Sequence, residues 1–160
     1  MLYRLLSHPE YIEPLRQEVE AVVADEGWTK AGMDMMHKID SFVHETLRLD
    51  PVGDSSLDSF HIVPITNHSY IPSFSPVIMT RLVLRPFTFS NGVTIPSGTL
   101  LSIPLRAAHV DESIYENPNE FDGFRFAKLR KSEGDITGSR YQAVAISTES
   151  LTFGLGRHAW

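Results

Sequence analysis

Glu45 and Arg48 stand three residues apart in a stretch with helical spacing, so a carboxylate and a guanidinium share one face and can pair. Taken alone, that is the weak, solvated contact carried by many exposed helices. The histidines add little: His8, His37, His44, His61 and His68 show no paired metal-ligand spacing. His109 reads as the partner of a buried hydrogen bond. The chain has no cysteine, which removes disulfides, thiolate nucleophiles and zinc-thiolate centres from its chemistry and leaves the redox compartment open.

The elements that must position these groups are short. Ser7-His8-Pro9-Glu10 has the form of a capping box with proline in the first turn, and Ile12, Leu15, Val19, Val22 and Val23 follow a helical stripe, predicting a helix over about 8–25. Pro14 removes an amide from its second turn, and Gly27 supplies a stop. A second helix starts at Asp40 or Ser41 as N-cap, turns Phe42, Val43, Thr46 and Leu47 inward, and ends before Pro51. From Asp54 to about Pro76 serine, proline and isolated aromatics hold no period, which reads as a long loop or an intruding segment. Val77 to Leu84 and Phe87 to Phe89 are strand-like. Asn91-Gly92 gives a hairpin turn, and Pro96-Ser97-Gly98 a second turn before a strand from Thr99 to Ile103. Asp111 to Arg130, broken by Pro118 and Gly123, reads as packed coil.

A chain of 160 residues with 42% hydrophobic and 21% charged residues has the composition of one globular domain with a sizeable core. Its formal charge of −6, with no Lys/Arg cluster, argues against nucleic acid as a partner. Met1 to Leu6 is too short for a signal-peptide core, and nowhere do eighteen apolar residues run together, so the expectation is a soluble or peripherally bound chain.

Glu45-Thr46-Leu47-Arg48 is followed in order by the Arg81 strand, the Ile95-Pro96-Ser97-Gly98-Thr99 turn, and His109 with Asp111. Then come Pro118-Asn119-Glu120-Phe121-Asp122-Gly123-Phe124-Arg125-Phe126 and Phe153-Gly154-Leu155-Gly156-Arg157-His158-Ala159. This succession resembles the C-terminal third of the cytochrome P450 family, in detail a fungal member. The resemblance implies a mainly α fold with small β-sheets (α+β), here a partial cytochrome P450 fold. It implies that Glu45, Arg48 and Arg125 form a buried structural charge triad beneath the haem, an architectural and not a catalytic role. It makes Phe153 to Ala159 the haem-binding loop, with Phe153, Gly156, Arg157 and His158 at the cofactor and its glycines letting backbone approach the porphyrin. Arg81 would reach one propionate, with Arg85 as a competitor for that role, and His158 another. Haem b, an NADPH-dependent reductase and a small organic substrate are the implied cofactor and partners of the parent enzyme, a monooxygenase of the endoplasmic reticulum membrane. On this resemblance the N-terminal anchor, the acidic–threonine helix and most of the substrate pocket would lie upstream of this chain.

The family pattern requires cysteine after Ala159, and on this reading the chain ends at the haem-ligand position with Trp160 in its place, so there is no metal ligand and the isolated chain is expected to be inactive. Gly123 stands where the family usually has proline, loosening a turn. The block at about 54–76 reads as a non-family insertion, translated intervening sequence of a faulty gene model, with Trp160 arising in the same way. Two rival readings are a non-enzymatic remnant and an unrelated acidic interaction module.

Overall fold

A computed structural model describes residues 1–51, 62–65, 69–72, 80–102, 105–134 and 140–156. Four helices open the chain: α1 (Leu2–Ser7), α2 (Ile12–Glu26), α3 (Lys30–Met35) and α4 (His37–Leu49). Three two-stranded antiparallel pairs follow. They are β1 (Ile62–Ile65) with β2 (Ser69–Pro72), β3 (Thr80–Leu82) with β6 (Leu100–Ser102), and β4 (Phe87–Thr88) with β5 (Thr94–Ile95). Two more helices, α5 (Leu105–His109) and α6 (Arg125–Glu133), complete the set among the described residues, where helix dominates over small sheets as expected. Among the described residues no helix is long and apolar enough to cross a membrane.

The first helix differs from its sequence reading. Ser7 ends α1, where its hydroxyl donates to Tyr3 O, and so caps nothing; Pro9–Tyr11 form a single 3-10 turn before α2 begins at Ile12. Pro14 is then the third residue of α2, where an amide has no intrahelical acceptor in any case, and its missing N–H costs little. Gly27 ends α2 with φ 68°, its N–H reaching Val23 O at 3.0 Å.

The centre of the molecule is α4, which packs against α2, α5 and α6. It begins at His37, ahead of the predicted Asp40 or Ser41, because Glu18 of α2 caps it from a distance: its carboxylate accepts from Lys38 N and Ile39 N at 2.9–3.0 Å. The buried face of α4 holds Phe42, Thr46 and Leu49, but also Ser41, His44, Glu45 and Arg48. Val43 and Leu47 are only half-buried. A helix burying that many polar groups needs a partner for each one.

The sheet lobe follows its turn chemistry. Gly92 at φ 85° closes the β4–β5 hairpin, with Phe89 N on Val93 O at 2.9 Å; Gly98 at φ 85° closes the link into β6, with Gly98 N on Val83 O at 2.7 Å. The β1–β2 hairpin lies within the stretch read as aperiodic loop; the rest of the 54–76 block falls outside the described residues. The stretch read as packed coil contains α6, built from Arg, Ala, Lys, Leu and Glu, which favour helix, and ended by Gly134 in the left-handed conformation.

An aromatic cluster seals the junction of α2, α4 and the loop before α6. Tyr11 lies 5.5 Å from Phe42, 5.8 Å from Phe121 and 4.9 Å from Phe124 between ring centroids. Gly123 is pressed into this cluster. A Cβ there would meet Phe42 at 2.7 Å and Tyr11 at 2.9 Å, so glycine at this position permits close packing and does not loosen the turn.

Candidate functional site

Glu45 is fully buried and receives two guanidiniums. Arg48, one turn further along α4, donates through Nε to Oε2 at 2.8 Å and through Nη2 to Oε1 at 2.7 Å, a bidentate fork. Arg125, the first residue of α6, donates through Nε to both oxygens at 3.2 Å, and Asp122 N adds a bond to Oε1 at 3.1 Å. One carboxylate cannot neutralise two guanidiniums, and backbone carbonyls take up the remainder. Arg48 Nη1 donates to His109 O at 2.6 Å and Pro118 O at 2.7 Å. Arg125 spreads over the carbonyls of Glu116, Asn117 and Glu120. Asn117 adopts φ 46°, a left-handed conformation that asparagine tolerates better than most residues. Tyr115 lies against Arg48, 4.9 Å from guanidinium carbon to ring centroid, and burial pushes its hydroxyl pKa up to about 12. The arrangement joins α4, α5, the 111–124 loop and α6 through one charge centre. Its polar atoms are engaged with one another and with backbone carbonyls and an amide.

Two buried histidines add a second set of ties. His44 stacks on Phe126 at 3.6 Å between centroids, and its ring nitrogens meet Tyr141 O at 3.2 Å and Ser150 Oγ at 3.0 Å. Burial lowers its pKa to about 4, so the ring is neutral near neutral pH. His109 spans Arg48 O and the Leu151 amide, and burial again lowers its pKa. His109 thus makes the buried hydrogen bonds that its sequence context suggested. The carbonyl cage and the part played by His44 were not foreseen; the only local signal was Asn117-Pro118, a turn-forming dipeptide.

The other sequence-predicted residues are not drawn into this centre. Arg81 is exposed on β3 opposite Leu101, and Arg85 is exposed in the bend after it. Phe153 is half-buried; Gly154 at φ 87° is buried, and Gly156 at φ 78° is exposed with open space where a Cβ would stand. Arg157, His158 and Trp160 lie outside the described residues.

The family model described as Cytochrome P450 matches residues 1–63 and 71–159. Cytochrome P450 monooxygenase 103 of Postia placenta is 35% identical over 158 residues, covering 99% of this chain and 27% of that protein. Cytochrome P450 monooxygenase janQ of Penicillium janthinellum is 37% identical over 158 residues, covering 98% and 27%. A solved zebrafish cytochrome P450, in a structure with abiraterone, superposes with a TM-score of 0.63 at 20% identity over 98% of this chain and 29% of that one, a likeness of fold. The chain therefore spans about a quarter of the length of the curated relatives it matches.

These matches correct one expectation. The chain has no cysteine and the family match stops at residue 159, so no haem-ligand cysteine position is present in it, and Trp160 does not mark one. No thiolate donor is present for a haem, and the described histidines are engaged elsewhere. The ring nitrogens of His44 and His109 are all committed, His8 contacts Glu10, and His37 contacts Arg130. Among the described residues no group of His, Cys, Asp or Glu is placed to hold a metal ion.

Proposed function

The chain belongs to the cytochrome P450 family, and from that membership we propose that it is a piece of a monooxygenase which keeps the family's charge-locked scaffold without the thiolate chemistry. The observation that carries this reading is the buried Glu45 carboxylate held by Arg48 and Arg125, in a chain with no cysteine to supply a thiolate to iron. The whole protein would bind haem b, take electrons from an NADPH-dependent reductase and insert one oxygen atom into a small organic substrate. Arg81 and His158 would reach the propionates there, and the stretch from Phe153 through Gly156 and Arg157 would lie along the porphyrin. Haem supplies the oxygen chemistry in such a protein, and a cysteine thiolate makes that chemistry productive.

The test is a haem titration of the purified chain followed by the reduced carbon-monoxide spectrum. The expected result is no thiolate-type spectrum at any haem ratio; a thiolate-type spectrum would overturn the reading. The missing cysteine also favours a second reading, a non-enzymatic remnant that uses the same scaffold to bind another chain.

The block at about 54–76 is proposed to be a non-family insertion. The interruption of the family match at 64–70 falls inside it and supports this, while the relatives' alignment over 98–99% of the chain weighs against the full extent. Transcript sequencing across codons 53–77 decides: a mature message that retains those codons removes the proposal.

A further inference from the structure

His109 joins two parts of the chain that share no element. Its Nδ1 lies 3.1 Å from Arg48 O, at the end of α4, and its Nε2 lies 3.2 Å from Leu151 N, 42 residues away. A carbonyl only accepts and an amide only donates, so the geometry permits one protonation state: hydrogen on Nδ1 and a lone pair on Nε2. The imidazole is 1% exposed, and no hydroxyl intervenes that could rotate to accommodate a second proton. At the neighbouring tie, His44 meets the Ser150 hydroxyl, which can donate or accept and therefore tolerates either state.

We propose that His109 is a proton-sensitive latch: its neutral ring clamps Leu151, and with it the loop from 151 to 156, against the end of α4, and its protonated ring releases them. A proton on Nε2 would set N–H against N–H at Leu151. Leu151 is the other half of a small apolar cluster with Leu105 and Ala108, so its release opens that cluster. Gly154 N also bonds Leu151 O at 2.9 Å, which carries the movement into the glycine turn.

Burial and the neighbouring Arg48 guanidinium favour the neutral form of the ring. On α4, the Arg48 guanidinium already donates to His109 O, Glu45 is occupied by Arg48 and Arg125, and His44 is itself buried. On α5, Arg106 reaches Leu49 O; in the loop beyond, Asp111 is exposed and holds Ser113. In the terminal segment Ser150 and Leu151 are uncharged, and Glu149 is exposed. Burial lowers the latched ring's pKa below its ordinary value, while a released ring titrates near the usual histidine pKa of about 6.5. The released state therefore binds the proton more tightly: the latch is closed above about 6.5 and is drained as pH falls below it.

The inference stands on this chain's own geometry and does not need haem. Its test is amide hydrogen exchange at Leu151, corrected for intrinsic exchange, at about pH 7 and about pH 5. Protection is expected to fall by up to about tenfold per pH unit across that window, and to stay level in His109→Gln, which can still accept from Leu151 N but does not titrate. Equal protection at both pH values, or an equal fall in the variant, overturns the proposal. Should the variant not fold, nitrogen NMR of the wild-type ring replaces it. The open fraction at Leu151 must rise with the protonated fraction of His109 Nε2, and a Leu151 amide that stays protected once the ring is protonated overturns the latch.

Discussion

At the scale of the residue, Glu45 decides most. It is fully buried, and both of its oxygens are shared between Arg48 and Arg125. Such a pair is no large source of net stability, because desolvation cancels much of the attraction; breaking it is another matter, since the orphaned charge stays buried. Glu45→Gln keeps the shape and removes the charge, leaving two guanidiniums with only carbonyls and an amide oxygen for partners. The expected cost is ~3–5 kcal/mol of unfolding free energy. Urea denaturation of the variant beside the wild type measures it, and a loss well below 1 kcal/mol would mean that the carbonyl cage holds the arginines unaided. The Glu45 and Arg48 contact was legible from a spacing of three, because helix geometry is local. The arrival of Arg125 from 80 residues away was not legible from spacing and came only from the family resemblance. The carbonyls of His109, Pro118 and Glu120 were invisible, since every residue type carries a carbonyl and only the folded path aims one.

At the scale of the element, turns were read well and helix starts badly. Asn91-Gly92 and Pro96-Ser97-Gly98 turn where expected, because φ preference is a property of the residues in the turn. The start of α4 was misplaced because its cap comes from Glu18, 20 residues away on α2, with no signature at the helix itself. The same contact makes a prediction: Glu18→Ala leaves the Lys38 and Ile39 amides without their acceptor and unties α2 from α4. The loss should be ~1 kcal/mol, within the ~0.5–2 kcal/mol of a conventional N-cap, and should appear as faster amide exchange at Lys38 and Ile39. Unchanged exchange at both amides would show that Glu18 is dispensable. Helix α6 was missed for a related reason: Phe124 precedes it with no side-chain cap, and Pro118 and Gly123 dominate the local pattern.

At the scale of the whole molecule, fold class and family were both legible, because the order of several short motifs is preserved over nearly the full length of the chain. The sequence did not locate a haem-ligand cysteine position at its end, since a residue type absent from the chain leaves nothing to match. The structure accounts for how such a chain can keep its scaffold. The charge centre, the two buried histidines and the aromatic cluster around Gly123 are all built from this chain's own side chains and backbone. A cysteine thiolate underlies the oxygen chemistry of such a haem, and this chain carries no cysteine. The most direct test is turnover: the purified chain, supplied with haem, NADPH and a P450 reductase, assayed for oxygenated product against a panel of small organic substrates. The account predicts no product above the haem-free control; sustained, haem-dependent product formation would contradict it.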